Sequence, residues 1–268
     1  MEIKLNIKAR FFNEAYLPYL YFNPKGKSRI MAFYGGAGSG KSVFVVQNTI
    51  LKALASKRRV LVVRKVGNTI RDSIFKEYKQ ALSQFGLLDK CNVKESYLTI
   101  TLPNGSEFLF KGMEDDDKIR SISGITDIVC EEASDLSLAE FSQLQLRLRD
   151  LKSGNNQIFL MYNPVSKARW VYPYFHSTNP KAVAGRPKDL TLVQTTYKDN
   201  KFLPQSYIDE LNTMMHNNPV YYQVFALGQF ATLGRPVFSN WRIESVDAQK
   251  LRQEGLQAYV GLDFGFVR

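Results

Sequence analysis

At 268 residues the chain is long enough to bury a full core, and one large domain, or one domain with an appendage, is expected. Its 36 Lys and Arg outnumber 25 Asp and Glu, for a net charge of +11, which favours polyanionic partners, nucleic acid ahead of membrane surface. No apolar run approaches the roughly 18–20 residues needed to span a bilayer, and the charged start MEIKLNIKARFFNEAY does not read as a signal peptide, so a cytosolic protein is expected. Two separated cysteines (Cys91, Cys130) and two histidines (His176, His216) make neither a disulfide framework nor a zinc site.

Residues 1–28 mix aromatics with Pro18 and Pro24 and read as a leader packed on a domain. RIMAFYGG is a short buried-strand run, SVFVVQNTILKALAS has the spacing of a helix packed on a sheet, and RVLVVRK is a second strand. Strand, helix and strand in that order form a βαβ unit and imply a parallel sheet. Residues 69–85 read as a helix, and 93–110 as an inserted hairpin turning at Asn104-Gly105. After the acidic stretch Glu114–Asp117 come a strand (ITDIVC), a helix (SLAEFSQLQLRLRD) and a strand stopped by Pro164 (NQIFLMYNP). Residues 165–235 have weaker periodicity, and a last apolar run, AYVGLDFG, closes the chain. The fold class expected is α/β, a mainly parallel central sheet flanked by helices.

The strongest chemical signal is Gly35-Gly36-Ala37-Gly38-Ser39-Gly40-Lys41-Ser42, which fits G-x-x-x-x-G-K-[ST] between a predicted strand and a predicted helix. Glycines let backbone N–H groups wrap phosphates, and the helix N-terminus adds its positive dipole end. Lys41 reaches the β and γ phosphates, and the Ser42 hydroxyl takes a place on Mg²⁺. ITDIVC then delivers Glu131 and Glu132 at its C-terminal end, where open α/β sheets bind ligands. Glu131 is assigned to Mg²⁺ and Glu132 to the general base that activates water. The plain alternative is that both acids open the following helix. Asp127, inside the strand, is a weaker metal candidate. Asn163 ends the next strand and could contact the γ-phosphate or the attacking water, or could be an Asn-Pro turn signal. Arg120, Arg147 and Arg149 are candidates for neutralising transition-state charge.

YGGAGSGKS, RKVGNTIRDSIF, NGSEFLFKG, ISGITDIVCEEAS, the Gln145–Arg149 segment, YNPVSKARW and TTYKDN occur in that order. On these motifs, from about residue 30 onward, the chain resembles phage terminase large subunits of the PBSX type. The resemblance implies a P-loop ATPase of the additional-strand, catalytic-glutamate class that works with ATP and Mg²⁺. It implies a ring of copies at a capsid portal moving double-stranded DNA inward, with a small terminase subunit as partner, in the host cytoplasm. Lys41 and Ser42 fall on the family's P-loop lysine and hydroxyl, Glu131 and Glu132 on its paired acids, and Asn163 on its coupling motif. Many relatives carry an arginine within the P-loop where this chain has Ala37, so the charge is expected from Arg120, Arg147 or Arg149, in cis or from a neighbouring subunit.

The resemblance also divides the chain into a leader (1–28), a motor domain (29–234) and a linker with the first strand of a ribonuclease-H-like nuclease (235–268). Gly261-Leu262-Asp263-Phe264-Gly265 is similar to that strand, with Asp263 as first metal ligand. The chain stops five residues later, so an incomplete nuclease site and no cutting activity are expected. Lys57, Arg58, Arg59, Lys65, Arg71, Lys167 and Arg169 fit a motor that grips the DNA backbone without reading sequence. Tyr21 and Phe22 are candidates to cover the adenine. The competing readings are a helicase-like or other DNA-dependent ATPase, and a non-motor P-loop nucleotide-binding module.

Overall fold

The computed structural model describes residues 9–115, 119, 121–149, 154–231 and 253. The chain divides into two compact units, Met1–Leu233 and Gly234–Arg268, and the strands and helices named below belong to the first. They run β1 (Ile30–Gly35), α1 (Lys41–Ala55), β2 (Arg59–Arg64), α2 (Ile74–Gln84), β3 (Asn92–Lys94), β4 (Thr99–Thr101), β5 (Glu107–Gly112), β6 (Asp127–Cys130), α3 (Leu138–Arg147), β7 (Gln157–Tyr162), α4 (Pro180–Ala184), β8 (Leu190–Thr195) and α5 (Gln205–Asn217). Among the described residues no helix is long and apolar enough to cross a membrane.

The eight strands form one sheet in the order β3-β4-β5-β2-β6-β7-β1-β8. From β5 to β8 every neighbour is parallel, while β3, β4 and β5 pair antiparallel. The P-loop strand β1 and the acid-bearing strand β6 are not neighbours, because β7 lies between them. That is the additional strand the fold class calls for. Successive side chains of a strand point to opposite faces, so apolar runs such as IMAF and VLVV build two cores at once. Met31, Phe33, Val60 and Val62 pack on one face with α1 and α2. Ile30, Ala32, Leu61 and Val63 pack on the other with Phe141 and Leu144 of α3.

The hairpin turns at Asn104-Gly105 as expected, with Gly105 in the left-handed region (φ +79°). Its return strand is more than an insertion, because β5 pairs with β2 in parallel from Arg59↔Glu107 to Arg64↔Gly112. The weakly periodic stretch 165–235 holds β8 and α5. As the edge strand beside β1, β8 is mostly half-exposed and lacks a continuous apolar run. The leader does pack on the domain: Phe12, Tyr16 and Leu20 are buried, and the Tyr16 ring stacks on Phe44 of α1 with centroids 4.8 Å apart.

Candidate active site

The loop from Gly36 to Gly40 must carry the chain from the end of β1 back to the start of α1. Gly38 (φ +73°) and Gly40 (φ +81°) make that possible in conformations a side chain would strain. Helix α1 starts with no side-chain cap and no acid in its first turn, so its first N–H groups and dipole are free to meet an anion. The Lys41 ammonium donates to the Gly36 carbonyl at 3.1 Å. Burial pushes its pKa down to about 8, against the pull of Glu77 and Glu132.

Three distant segments hold the loop in shape. The Tyr16 hydroxyl donates to the Ser39 carbonyl (3.0 Å) and shares a hydrogen bond with the Thr195 hydroxyl (2.6 Å). The Asn200 amide donates to the Gly38 carbonyl (2.6 Å), and the Ala37 N–H donates to the Phe225 carbonyl (2.6 Å). A Cβ on Gly35 would collide with the Thr195 carbonyl. The loop's backbone is therefore fixed by contacts from the protein itself.

At the end of β6 the Glu131 N–H still donates to the Val63 carbonyl (2.9 Å), but Glu132 turns into the left-handed region (φ +49°, ψ +46°). A non-glycine residue there costs of order 1–3 kcal/mol and persists only where its surroundings impose it. Two adjacent strand side chains would diverge; the turn lets both acids meet Arg64, the last residue of β2. Its Nη1 lies 3.3 Å from Glu131 Oε2 and its Nη2 2.6 Å from Glu132 Oε2. The Ser73 hydroxyl adds a hydrogen bond to Glu131 (3.1 Å). Glu131 is 11% exposed and Glu132 51%, so one acid faces the interior and its neighbour solvent. Burial pushes the Glu131 carboxyl up, while Arg64 and Ser73 pull it back.

Lys41, Ser42, Glu131, Glu132 and Asn163 line one cavity of about 280 Å³ together with Phe225. The Asn163 Oδ1 is buried without a hydrogen-bond partner. Glu77 of α2 stands nearby, and sequence reasoning missed it. Burial pushes its carboxyl up to about 7, helped by the charge of Glu131 and opposed by Lys41, and its Oε2 is buried and unpaired. Among the described residues no three His, Cys, Asp or Glu side chains gather closely enough to hold a metal alone. Mg²⁺ takes one or two carboxylates plus substrate phosphates, so the donor set of Ser42 and Glu131 fits it.

Several expected residues stand elsewhere. Asp127 is at the opposite end of β6, buried against Lys52 (2.5 Å) and Arg58 (3.7 Å), and is no metal ligand. Arg147 ends α3 and Arg149 follows it; this ten-residue helix leads about 15 Å away from the acids. The Arg29 guanidinium, just before β1, donates to the Leu148 carbonyl (3.0 Å). Both arginines therefore sit at the wrong end of the sheet to reach their own P-loop. Arg120 and Asp263 lie outside the described residues. The cation beside the acids is Arg64, whose signal was its place at the end of the strand parallel to β6. Tyr21 and Phe22 line a different cavity, which contains no P-loop residue. Lys65, Arg71 and Arg169 pair with Glu140, Glu95 and Asp135, Arg59 with Glu107, while Lys167 lies over the Tyr172 ring and Lys57 beside Gly105.

Residues 27–229 match the family model of the phage terminase large subunit. The chain belongs to that family. It is 31% identical over 247 residues to the PBSX phage terminase large subunit of Bacillus subtilis (strain 168), covering 87% of this chain and 57% of the relative. It is 30% identical over 248 residues to the large subunit of Bacillus phage SPP1, covering 87% and 56%. The chain thus spans little more than half the length of these relatives. The fold is similar to the large terminase of a thermophilic bacteriophage (TM-score 0.67, 17% identity, 82% of this chain and 53% of that one). It is also similar to the ATPase domain of a Thermus phage large terminase (TM-score 0.57, 12% identity, 81% and 98%).

Proposed function

We propose that the chain hydrolyses ATP to drive double-stranded viral DNA into a procapsid, as the motor part of a terminase large subunit. The observation that carries this reading is the single cavity that gathers Lys41, Ser42, Glu131, Glu132 and Asn163 at the C-terminal edge of a parallel sheet. Family membership and complexes of a structurally similar large terminase with ADP and ATP-gamma-S support it.

In this reading the P-loop N–H groups and Lys41 bind the β and γ phosphates. Glu132, the more exposed acid, orients a water and takes its proton as the water oxygen bonds to the γ-phosphorus and the bond to the β-phosphate oxygen breaks. Ser42 and Glu131 would hold Mg²⁺, which supplies charge neutralisation on the phosphates. Arg64 spans both acids and supplies the positive charge that neither Ala37 nor Arg149 brings to this site. The unpaired amide oxygen of Asn163 is poised to sense the attacking water.

Residues 29–234 would form the motor domain, acting as a ring with portal protein, small terminase subunit and DNA in the host cytoplasm. In such a ring Arg120, Arg147 or Arg149 could serve only a neighbouring subunit's site or, for Arg120, its own.

Phosphate release from ATP by the wild-type chain and by Glu132→Gln, with and without double-stranded DNA, tests the reading. The variant is expected to bind ATP normally and to lose hydrolysis by about 10²–10⁴-fold. Unchanged hydrolysis would remove Glu132 from the mechanism.

A further inference from the structure

Beyond Asn163 the chain doubles back on itself. The Val165 N–H donates to the Asn163 carbonyl (2.9 Å), the Ala168 N–H to the Ser166 hydroxyl (3.1 Å) and the Arg169 N–H to the Ser166 carbonyl (3.2 Å). These turns lead from Asn163 and Val165, on one part of the cavity's lining, to Ser134 and Asp135, on another. There the Trp170 indole N–H donates to the Ala133 carbonyl (3.0 Å), and Arg169 pairs with Asp135 (3.4 Å). The ion pair is exposed to solvent on both sides and contributes little. The indole bond reaches a fully buried residue, where a hydrogen bond is stronger than in water.

Trp170 can hold that bond because its ring is itself fixed. It stacks on Phe141 of α3 with centroids 4.7 Å apart and packs against Phe175 at 5.6 Å, and both phenylalanines are fully buried. The residue that the bond steadies is Glu132, next to Ala133 in the chain. Its left-handed backbone persists only where the surroundings impose it. Two hydrogen bonds close the turn from within, from the Asp135 N–H to the Glu132 carbonyl (2.9 Å) and from the Leu136 N–H to the Ala133 carbonyl (3.3 Å). Both run between chain neighbours, so neither anchors the turn to the rest of the domain. Among the described residues, Trp170 is the side chain outside the turn that donates to its backbone.

Resting on the reading of Glu132 as general base, we infer that Trp170 is a positioning residue for that base. Its indole N–H pins the Ala133 carbonyl, holds Glu132 in its left-handed turn and so keeps the carboxylate at the cavity that it shares with Lys41 and Asn163. The carboxylate is half-exposed and paired with Arg64 at one oxygen, so where it stands follows from its backbone. A base must stay within hydrogen-bond reach of the water whose proton it takes, and a small misplacement caused from a distance is enough to slow the step. Phosphate binding makes no such demand on Glu132, because the P-loop N–H groups and Lys41 provide it. Loss of the indole bond therefore acts on turnover and spares ATP affinity.

The test is a double-mutant cycle on steady-state ATP turnover with double-stranded DNA present, using the wild-type chain, Trp170→Phe, Glu132→Gln and the double variant. Trp170→Phe keeps a flat ring against Phe141 and removes the N–H. Its kcat is expected to fall on the order of tenfold, while KM and the affinity for ATP stay within about twofold. On the Glu132→Gln background no base is left to position, so the same substitution should change the residual turnover by less than about twofold. If circular dichroism shows that Trp170→Phe does not fold, benzothienylalanine at position 170, which keeps the bicyclic shape and lacks the N–H, takes its place in the cycle. A kcat within about twofold of wild type, or an equal loss on both backgrounds, would overturn the positioning role and leave Glu132 as the base. Unchanged hydrolysis by Glu132→Gln alone would instead remove the base and this inference with it.

Discussion

The two ends of β6 carry acids in opposite circumstances. At the start of the strand Asp127 is 1% exposed and meets Lys52, Arg58 and the Thr126 hydroxyl (2.8 Å), so its charge is fully answered. At the other end Glu131 and Glu132 share one arginine, stand beside an unpaired Glu77, and depend on a left-handed backbone turn. A saturated buried charge holds a fold together, whereas a cluster with more carboxylate than cation is ready to accept a cation or a proton. Burial alone does not separate the two cases, and satisfaction does.

That contrast can be broken from either end. Asp127→Ala leaves Lys52 buried without its counter-charge and is expected to cost about 3–5 kcal/mol of unfolding free energy, read from urea denaturation. A loss below 1 kcal/mol would mean that the pair contributes little to the fold. At the opposite end, Glu77→Gln should stabilise the protein above neutral pH. The Glu77 carboxyl sits at about 7 in the folded chain against 4.5 for its ordinary value. The folded state therefore binds the extra proton between those pH values, and stability falls as pH rises through them. The Gln variant lacks this slope and should exceed the wild type by on the order of 2 kcal/mol at pH 8, with the gap closing below pH 4.5. Parallel stability profiles of the two proteins would show that Glu77 is not the titrating group. The smallest effect is expected for Arg64→Ala: a loss of about tenfold in ATP turnover, near 1.4 kcal/mol of barrier, with ATP affinity retained. Stability should fall by only about 1 kcal/mol, because solvent screens the share of half-exposed Glu132 and the largely buried Glu131 keeps its hydrogen bond from Ser73. A large stability loss without a turnover defect would make Arg64 a structural residue like Arg58.

Much of the fold was legible because its signals are local. The alternation of apolar strands with amphipathic segments at 30–64 and 125–162 announces parallel pairing, and the observed elements follow it closely. Edge elements were harder to read: β8 buries only part of its surface, and α5 is largely exposed, so neither leaves a strong apolar period. The same division runs through the site. Lys41 and Ser42 follow glycines whose chemistry is written in eight consecutive residues, and Glu131-Glu132 end an apolar run. Arg64 and Glu77 gave no local sign, since a strand-ending arginine and a helix glutamate are ordinary surface residues until the sheet order places them.

The sequence alone determined the P-loop, the paired acids, the α/β class and the family, because each rests on residues adjacent in the chain or on motifs in a fixed order. Only the tertiary structure decided what surrounds them. Tyr16, Thr195, Asn200 and Phe225 reach the loop from distant segments, and the Tyr16–Thr195 hydrogen bond alone joins residues 179 positions apart. Asp127 and Arg149 were drawn to the far end of the sheet because strand direction, which no motif states, sets which edge a residue occupies.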